Sequence, residues 1–200
     1  MMEIRTLALL TTATASLALS GCVKLGSKAP PQLLTISPVA LPSDGRSVSS
    51  QGLPTLSVVT PDVPRKLDTT RVPVQVTPTT IAYVTDAQWA EPPRKMFARL
   101  LIDAIALGGQ VFVVSDDQYG MPAGRRLAGE LVDFGIDGEA REAIVTFDAV
   151  ISSADGGTAM RRRFTARAAV RDIEADKVAE PISRAANQVA SDVAAWVRGN

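Results

Sequence analysis

The chain has 200 residues with 21 basic and 21 acidic side chains, so its formal net charge is zero and nothing in its overall field attracts nucleic acid. It contains no histidine and one cysteine, which removes the commonest general base, the commonest metal ligand and any disulfide within the chain. We therefore expect one domain of ordinary size that is not an enzyme and holds no cofactor.

Residues 1–21 have the pattern of a signal peptide. An apolar and small-residue stretch from Leu7 to Leu19 is too short, and too rich in threonine and serine, for a typical membrane-spanning helix. It ends in Leu-Ser-Gly-Cys at 19–22, which resembles the lipobox of bacterial lipoproteins. The resemblance implies cleavage before Cys22 and acylation of its sulfur. The alternative is a soluble secreted protein with an incidental free cysteine.

Acylation of Cys22 would determine the membrane to which the protein is attached. Several acyl chains, at about 0.8 kcal/mol per buried methylene, make such an anchor effectively permanent. Val23 stands where an aspartate would, by similarity to enterobacterial sorting, favour the inner membrane. We therefore expect an outer-membrane lipid anchor facing the periplasm, with residues 22–31 as a lipidated tether and residues 32–200 as the folded domain.

The first part of the domain is predicted to contain short strands separated by proline-rich turns. The strand candidates are Gln32–Ile36, Leu53–Thr60, and a hairpin formed by Val72–Val76 and Thr80–Val84. Between the first two lies a predicted loop rich in serine, proline and glycine.

An amphipathic helix is predicted to begin at residues 90–93. Pro92 and Pro93 suit a first helical turn, which has no use for the amide hydrogen that proline lacks. Apolar side chains then recur at three- and four-residue steps: Met96, Phe97, Leu100, Leu101, Ala104 and Ile105. A short buried strand at Val111–Val114 and a turn-rich connection follow.

Three more strands and a helix complete the predicted domain. Arg126–Gly138 alternates with a slip of phase at 131–132, which indicates a β-bulge. Residues 143–151 alternate cleanly and form a hairpin with Thr158–Val170. A helix is predicted over Ala175–Arg198. Together these elements predict an α+β fold: a largely antiparallel β-sheet with two amphipathic helices packed on one face.

One candidate contact surface lies on the last long strand. Arg161, Arg163 and Arg167 share one face, where forked guanidinium donors suit the phosphates of anionic lipids or an acidic partner. The structural alternative is a solvated face whose arginines pair with acids on neighbouring strands, such as Glu142 and Asp148.

Trp89 and Glu91 form the second candidate contact with a partner. Aromatic side chains beside prolines are common anchors at interfaces. The alternative is structural: the tryptophan packs the core and the carboxylate caps the first turn of the helix.

No metal site is predicted. The carboxylates of Asp116, Asp117, Asp133 and Asp137 lack the alternating oxygen ligands and the central glycine of a calcium loop. No phosphate-binding loop, nucleophile elbow or zinc spacing is present in the sequence.

The order of motifs carries a family resemblance. The lipobox is followed by Gln-Leu-Leu-Thr-Ile-Ser-Pro at 32–38, Thr-Ile-Ala-Tyr-Val at 80–84 and Trp-Ala-Glu-Pro-Pro at 89–93. This order resembles the ABC-type transport auxiliary lipoproteins, which are encoded with MCE-type systems such as the paraquat-inducible intermembrane transport system. The resemblance implies an outer-membrane docking component for an MCE-domain protein and an ABC permease and ATPase, which move phospholipid or a related hydrophobic compound across the periplasm.

Other functions stay open at this point. A structural lipoprotein that scaffolds another outer-membrane machine would show the same leader and fold class. Family analogy also allows a homo-oligomeric ring. Direct lipid binding by the domain would require an open apolar pocket between helices and sheet.

Overall fold

The computed structural model describes residues 32–41, 45, 47–116 and 124–199. The described residues form seven strands, two α-helices and one 3-10 helix. The strands are β1 (Thr55–Val58), β2 (Arg71–Thr77), β3 (Thr80–Gln88), β4 (Phe112–Ser115), β5 (Arg125–Asp137), β6 (Glu142–Ser152) and β7 (Ala159–Ala169). The helices are α1 (Pro93–Ala106) and α2 (Ala179–Arg198), and the 3-10 helix is Arg65–Leu67. The predicted signal peptide, Cys22 and the tether lie outside the described residues.

All seven strands belong to one mixed sheet. β6 pairs antiparallel with β5 along nearly its whole length, and β7 pairs antiparallel with β6. β1 and β2 share the other edge of β5 and run parallel to it, at 125–127 and 136–137 respectively. β4 adds in parallel beside β1, and β3 forms the predicted antiparallel hairpin with β2.

The prediction of a largely antiparallel sheet is therefore wrong, because three of the six strand pairings among the described residues are parallel. Alternation along a strand shows which side chains share a face, but it does not show which strand lies next to it. The parallel neighbours here are separated by long stretches of chain: β2, β3 and α1 all intervene between β1 and β4. Crossovers of that length leave no local signal.

β5 carries the predicted β-bulge. Its register with β6 shifts between Leu131 and Asp133, where the sequence pattern slips. Close by, Gly129 has a φ angle of 155° and packs directly against β6. A β-carbon at this position would overlap the carbonyl oxygen of Asp148, so only glycine fits the close approach of the two backbones.

Both helices lie on one face of the sheet, as predicted. Phe97 of α1 packs edge-on against Phe147 of β6, with ring centroids 5.3 Å apart, and Trp196 of α2 packs against Phe164 of β7 at 5.6 Å. Phe147 and Phe164 are register partners, so they point to the same face. In the described part of the chain, neither helix is long and apolar enough to cross a bilayer.

Residues 32–41 form a strap across the domain, and the prediction of a strand at Gln32–Ile36 is wrong. Leu34 alone pairs with the sheet: its N–H donates to the Gln88 carbonyl, and its own carbonyl accepts from the Ala90 N–H, both at 2.8 Å. The strap then leaves the sheet, so the ladder of a strand does not develop.

Polar side chains of α2 hold the second half of the strap. The Ser37 N–H donates to the Ser183 hydroxyl at 3.0 Å, and the Val39 N–H donates to the Asn187 side-chain oxygen at 2.9 Å. The Asn187 amide also donates to the Ser37 carbonyl at 2.8 Å. These bonds replace the sheet partners that the strap lacks, since buried backbone groups require hydrogen-bond partners.

Replacing Gly129 with alanine is expected to lower the free energy of unfolding by at least about 3 kcal/mol, because the clash is with backbone that cannot move alone. Gly156 is the matched control: its φ is also positive, at 70°, but nothing lies within 4 Å of a β-carbon there. Alanine at 156 should cost only about 1 kcal/mol. Urea unfolding followed by tryptophan fluorescence measures both losses. Equal losses would contradict the packing described for β5 and β6.

Candidate functional site

The three predicted arginines lie on the sheet face opposite the helices. Arg161, Arg163 and Arg167 alternate along β7 with the buried Phe164 and Ala166. Their side chains are 69%, 61% and 44% exposed. We call these three side chains the arginine row. From Phe164 onward, the predicted division of β7 into a core face and a wet face is confirmed; Met160 and Arg162, which the pattern places on the core face, are exposed.

Asp148 of β6 is nearly buried and holds two members of the arginine row. Arg163 donates to it through Nε at 2.6 Å and Nη2 at 2.7 Å, and Arg161 donates through Nη2 at 2.7 Å. The hydrogen bonds from Arg163, and then those from Arg161, lower the pKa of Asp148 to about 2. The carboxylate is therefore ionised at any physiological pH and fixes both guanidinium groups above the sheet.

Arg167 bridges two further acids. Its Nη1 lies 3.1 Å from a carboxylate oxygen of Asp137 and 3.1 Å from one of Glu142. The backbone N–H of Ala140, and then Arg167, lower the pKa of Asp137. The structure thus confirms the pairing of the arginine row with acids on neighbouring strands, including Glu142 and Asp148. Three arginines face three carboxylates, so the row presents directed donors without a net positive charge.

Trp89 lies in the core. It is 1% exposed, and its ring packs edge-on against Phe134 of β5 with centroids 5.5 Å apart. Its backbone N–H donates to the Thr70 carbonyl at 2.7 Å, while its indole nitrogen has no hydrogen-bond partner in the described part of the chain. The structure supports the packing role for Trp89. A direct contact between this indole and a partner would require the core to open.

Glu91 lies partly at the surface, just before α1. Both of its carboxylate oxygens accept from the Arg99 guanidinium, one of them at 3.0 Å, and this pairing lowers the pKa of Glu91. The residue at the helix N-cap is Pro92, and no side chain caps the first turn. The predicted capping role of Glu91 is therefore wrong, because its carboxylate braces the outer side of α1 through Arg99 instead.

The carboxylates considered for a metal are engaged in ion pairs. Asp116 accepts from Arg126 at 2.9 Å and from the Ser57 hydroxyl at 3.0 Å, and Asp133 accepts from Lys66 at 2.5 Å. Asp117 lies outside the described residues. Among the residues that the structure describes, no three histidine, cysteine, aspartate or glutamate side chains are grouped to hold a metal ion.

Residues 27–194 match the family model of the ABC-type transport auxiliary lipoprotein component. The chain belongs to this family. The match covers the strap, the sheet, α1 and most of α2, so nearly all of the described domain of this auxiliary lipoprotein is the family's domain. No curated protein matches the chain.

Two solved structures resemble the auxiliary lipoprotein in fold. A Xanthomonas campestris protein of the DUF330 family is 20% identical, with a TM-score of 0.70 over 83% of this chain and 94% of that protein. An uncharacterised protein is 13% identical, with a TM-score of 0.63 over 83% of this chain and 99% of its own. At these identities the likeness shows the fold alone.

The contacts between the strap and α2 were not predicted. Ser183 and Asn187 lie one helical turn apart on the face of α2 that the sequence assigns to solvent. In the sequence, the one feature that sets these two residues apart is that both are small and polar in a helix otherwise rich in alanine and valine. That signal does not distinguish a surface residue from one that binds a distant segment of backbone.

Replacing Asp148 with asparagine is expected to lower the free energy of unfolding by about 2 kcal/mol at pH 7, because the folded-state pKa lies well below the unfolded value. A lowered pKa stabilises the fold above the unfolded pKa, and this contribution disappears as pH falls from about 4 to about 2. The difference between wild type and variant should therefore shrink over that interval in urea titrations.

Asp176→Asn is the control for this experiment, since Asp176 is exposed and joins no ion pair in the described part of the chain. It should change the free energy of unfolding by less than about 0.5 kcal/mol. A loss for Asp148→Asn that stayed the same at pH 7 and at pH 2 would contradict the assigned role of the carboxylate.

Proposed function

We propose that this auxiliary lipoprotein is the outer-membrane docking component of an MCE-type ABC transport system, which moves phospholipid or a related hydrophobic compound across the periplasm. The observation that carries the proposal is the family match over residues 27–194. In this role the domain works by contact: it holds transport partners near the membrane, and the ATPase and permease supply the energy and the path.

Anchoring in this proposal depends on Cys22, the one cysteine of the sequence. The family match begins five residues after it, which leaves a short tether before the domain. Residue 23 is valine, and by similarity to enterobacterial sorting this favours release to the outer membrane. The domain would then face the periplasm, where an MCE-domain protein is within reach.

The arginine row is the proposed contact surface for the MCE-domain protein or the permease, with Glu91 as a second candidate. Each guanidinium has five N–H donors, and the pairs with Asp148, Asp137 and Glu142 leave some of them unused. An anionic membrane gains little from a row whose charge is already balanced. Carbonyls or carboxylates of a protein partner gain directional hydrogen bonds, which favours a protein as the ligand of this face.

Capture of partners from gently solubilised membranes tests the proposal. The acylated auxiliary lipoprotein should recover an MCE-domain protein together with permease or ATPase subunits, identified by mass spectrometry. Cys22→Ser should incorporate no labelled palmitate and should leave the membrane fraction. Recovery of a different outer-membrane machine, or of no transport subunit, would contradict the proposed function.

A second experiment tests the arginine row. The double variant Arg161→Gln and Arg163→Gln should reduce capture of the partner by about tenfold or more, because truncating a charged pair at an interface costs about 2 kcal/mol or more. Asp148→Asn is the matched control, since it breaks the same ion pairs but keeps both guanidinium groups. Capture by the double variant that stayed at the wild-type level would contradict the role proposed for the arginine row.

A further inference from the structure

α1, α2 and the strap enclose an open groove on the outer side of the helical layer. Its volume is about 630 Å³, which falls within the range of about 300–1,000 Å³ for small-molecule sites. The strap contributes Pro38 and Val39, α1 contributes Leu100 and Ala104, and α2 contributes Ala194. Ala104, Gly108 and Ala194 leave open space between the two helices, so part of their contact is a slot.

The groove leaves apolar surface uncovered. Val39 is 85% exposed and Leu107, just after α1, is 47% exposed, and both line the groove. Leu41 follows in the strap and is 64% exposed. Apolar surface in water is unfavourable by about 25 cal/mol per Å². Clustered exposure of this kind marks a binding site more often than exposed apolar residues scattered singly.

One end of the groove carries a positive charge. Arg198 lines the groove at the C-terminal end of α2, and its side chain lies against Gly108, where a β-carbon would come within 3.2 Å of the arginine Cδ. None of the ion pairs in the described part of the chain involves Arg198. Arg184 also lines the groove, one turn N-terminal to Gln188 on the same helix, but its charge is paired with Glu180.

We infer that this groove binds one acyl chain of an anionic phospholipid, with the headgroup phosphate at Arg198. The inference rests on the proposed function, since it names the cargo class that the domain contacts directly. A mostly apolar slot that ends in one cation, unpaired among the described residues, complements an amphiphile with one anionic headgroup. From Asn187 to Arg198 the helix rises about 16 Å, which gives the slot an elongated shape.

The position of the strap supports access to lipid. Its first described residue, Gln32, lies ten residues after Cys22, so a fully extended tether spans at most about 35 Å. The strap forms one wall of the groove through Pro38 and Val39. The tether therefore keeps the start of the strap within about 35 Å of the bilayer surface when Cys22 is acylated.

Photo-labelling of the full acylated chain tests the inference. The protein is reconstituted in vesicles of phosphatidylcholine and phosphatidylglycerol with a trace of phosphatidylglycerol that carries a diazirine in its acyl chain. After illumination, mass spectrometry should locate the label on peptides from the strap, the end of α1 and the second half of α2. Label spread evenly over the surface would overturn the inference.

Matched variants test the shape and the charge of the groove separately. Ser191→Trp places a large ring in the groove from an exposed position and should reduce labelling about tenfold, equivalent to about 1.4 kcal/mol. Ala140→Trp is the control, at an exposed turn that does not line the groove. Arg198→Gln should reduce labelling by phosphatidylglycerol more than labelling by phosphatidylcholine, whose choline cation offsets the phosphate, and Arg65→Gln should reduce neither. Equal labelling of Ser191→Trp and Ala140→Trp, or of Arg198→Gln and Arg65→Gln, would overturn the inference.

The same variants separate this inference from the proposed function. Ser191→Trp should still capture the transport subunits, because the arginine row lies on the other face of the sheet. Labelling of the groove without capture of those subunits would contradict the proposed function and leave the lipid site standing. A photo-crosslinker placed at residue 191 in cells that captured a protein and no lipid would overturn the inference.

Discussion

The backbone hydrogen bonds of β5 hold the sheet together. β6 occupies one edge of this strand, and β1 and β2 divide the other edge between them. The remaining strands, β3, β4 and β7, each join through one of those three. A distortion of β5 would therefore reach every strand directly or through one neighbour. Gly129, close to its bulge, tolerates no side chain because a β-carbon there would overlap the carbonyl oxygen of Asp148 on β6.

The two faces of the sheet have different roles: one packs against the helices, and the other carries charged side chains. Phe134, Phe147 and Phe164 point toward the helices: the first two contact Phe97 of α1, and Phe164 contacts Trp196 of α2. On the opposite face, alternate residues of the same strands carry charges. Because alternation forces each strand to serve both faces, the buried phenylalanines fix the positions of Asp148 and the arginine row. The charged face is thus built on a rigid support, as a contact surface requires.

Sequence reasoning succeeded where the signal was local. The bulge in β5, the hairpin of β2 and β3, the faces of β7 and the apolar stripes of both helices all follow from spacing within a few residues. It failed where one segment depends on another that is distant in sequence. The parallel pairing of β1 with β4 and the diversion of the strap onto Asn187 depend on contacts separated by about 60 and 150 residues. The burial of Trp89 also depended on its distant neighbour Phe134.

The attachment of the strap determines how mechanical load enters the domain. Any pull along the tether acts first on the two hydrogen bonds of Leu34, which join it to the backbone on either side of Trp89. The bonds from Ser37 and Val39 to α2 lie behind that point and carry load only after Leu34 is released. The two attachments of the strap therefore break one after the other under tension. The second attachment is the part of the strap that forms a wall of the groove.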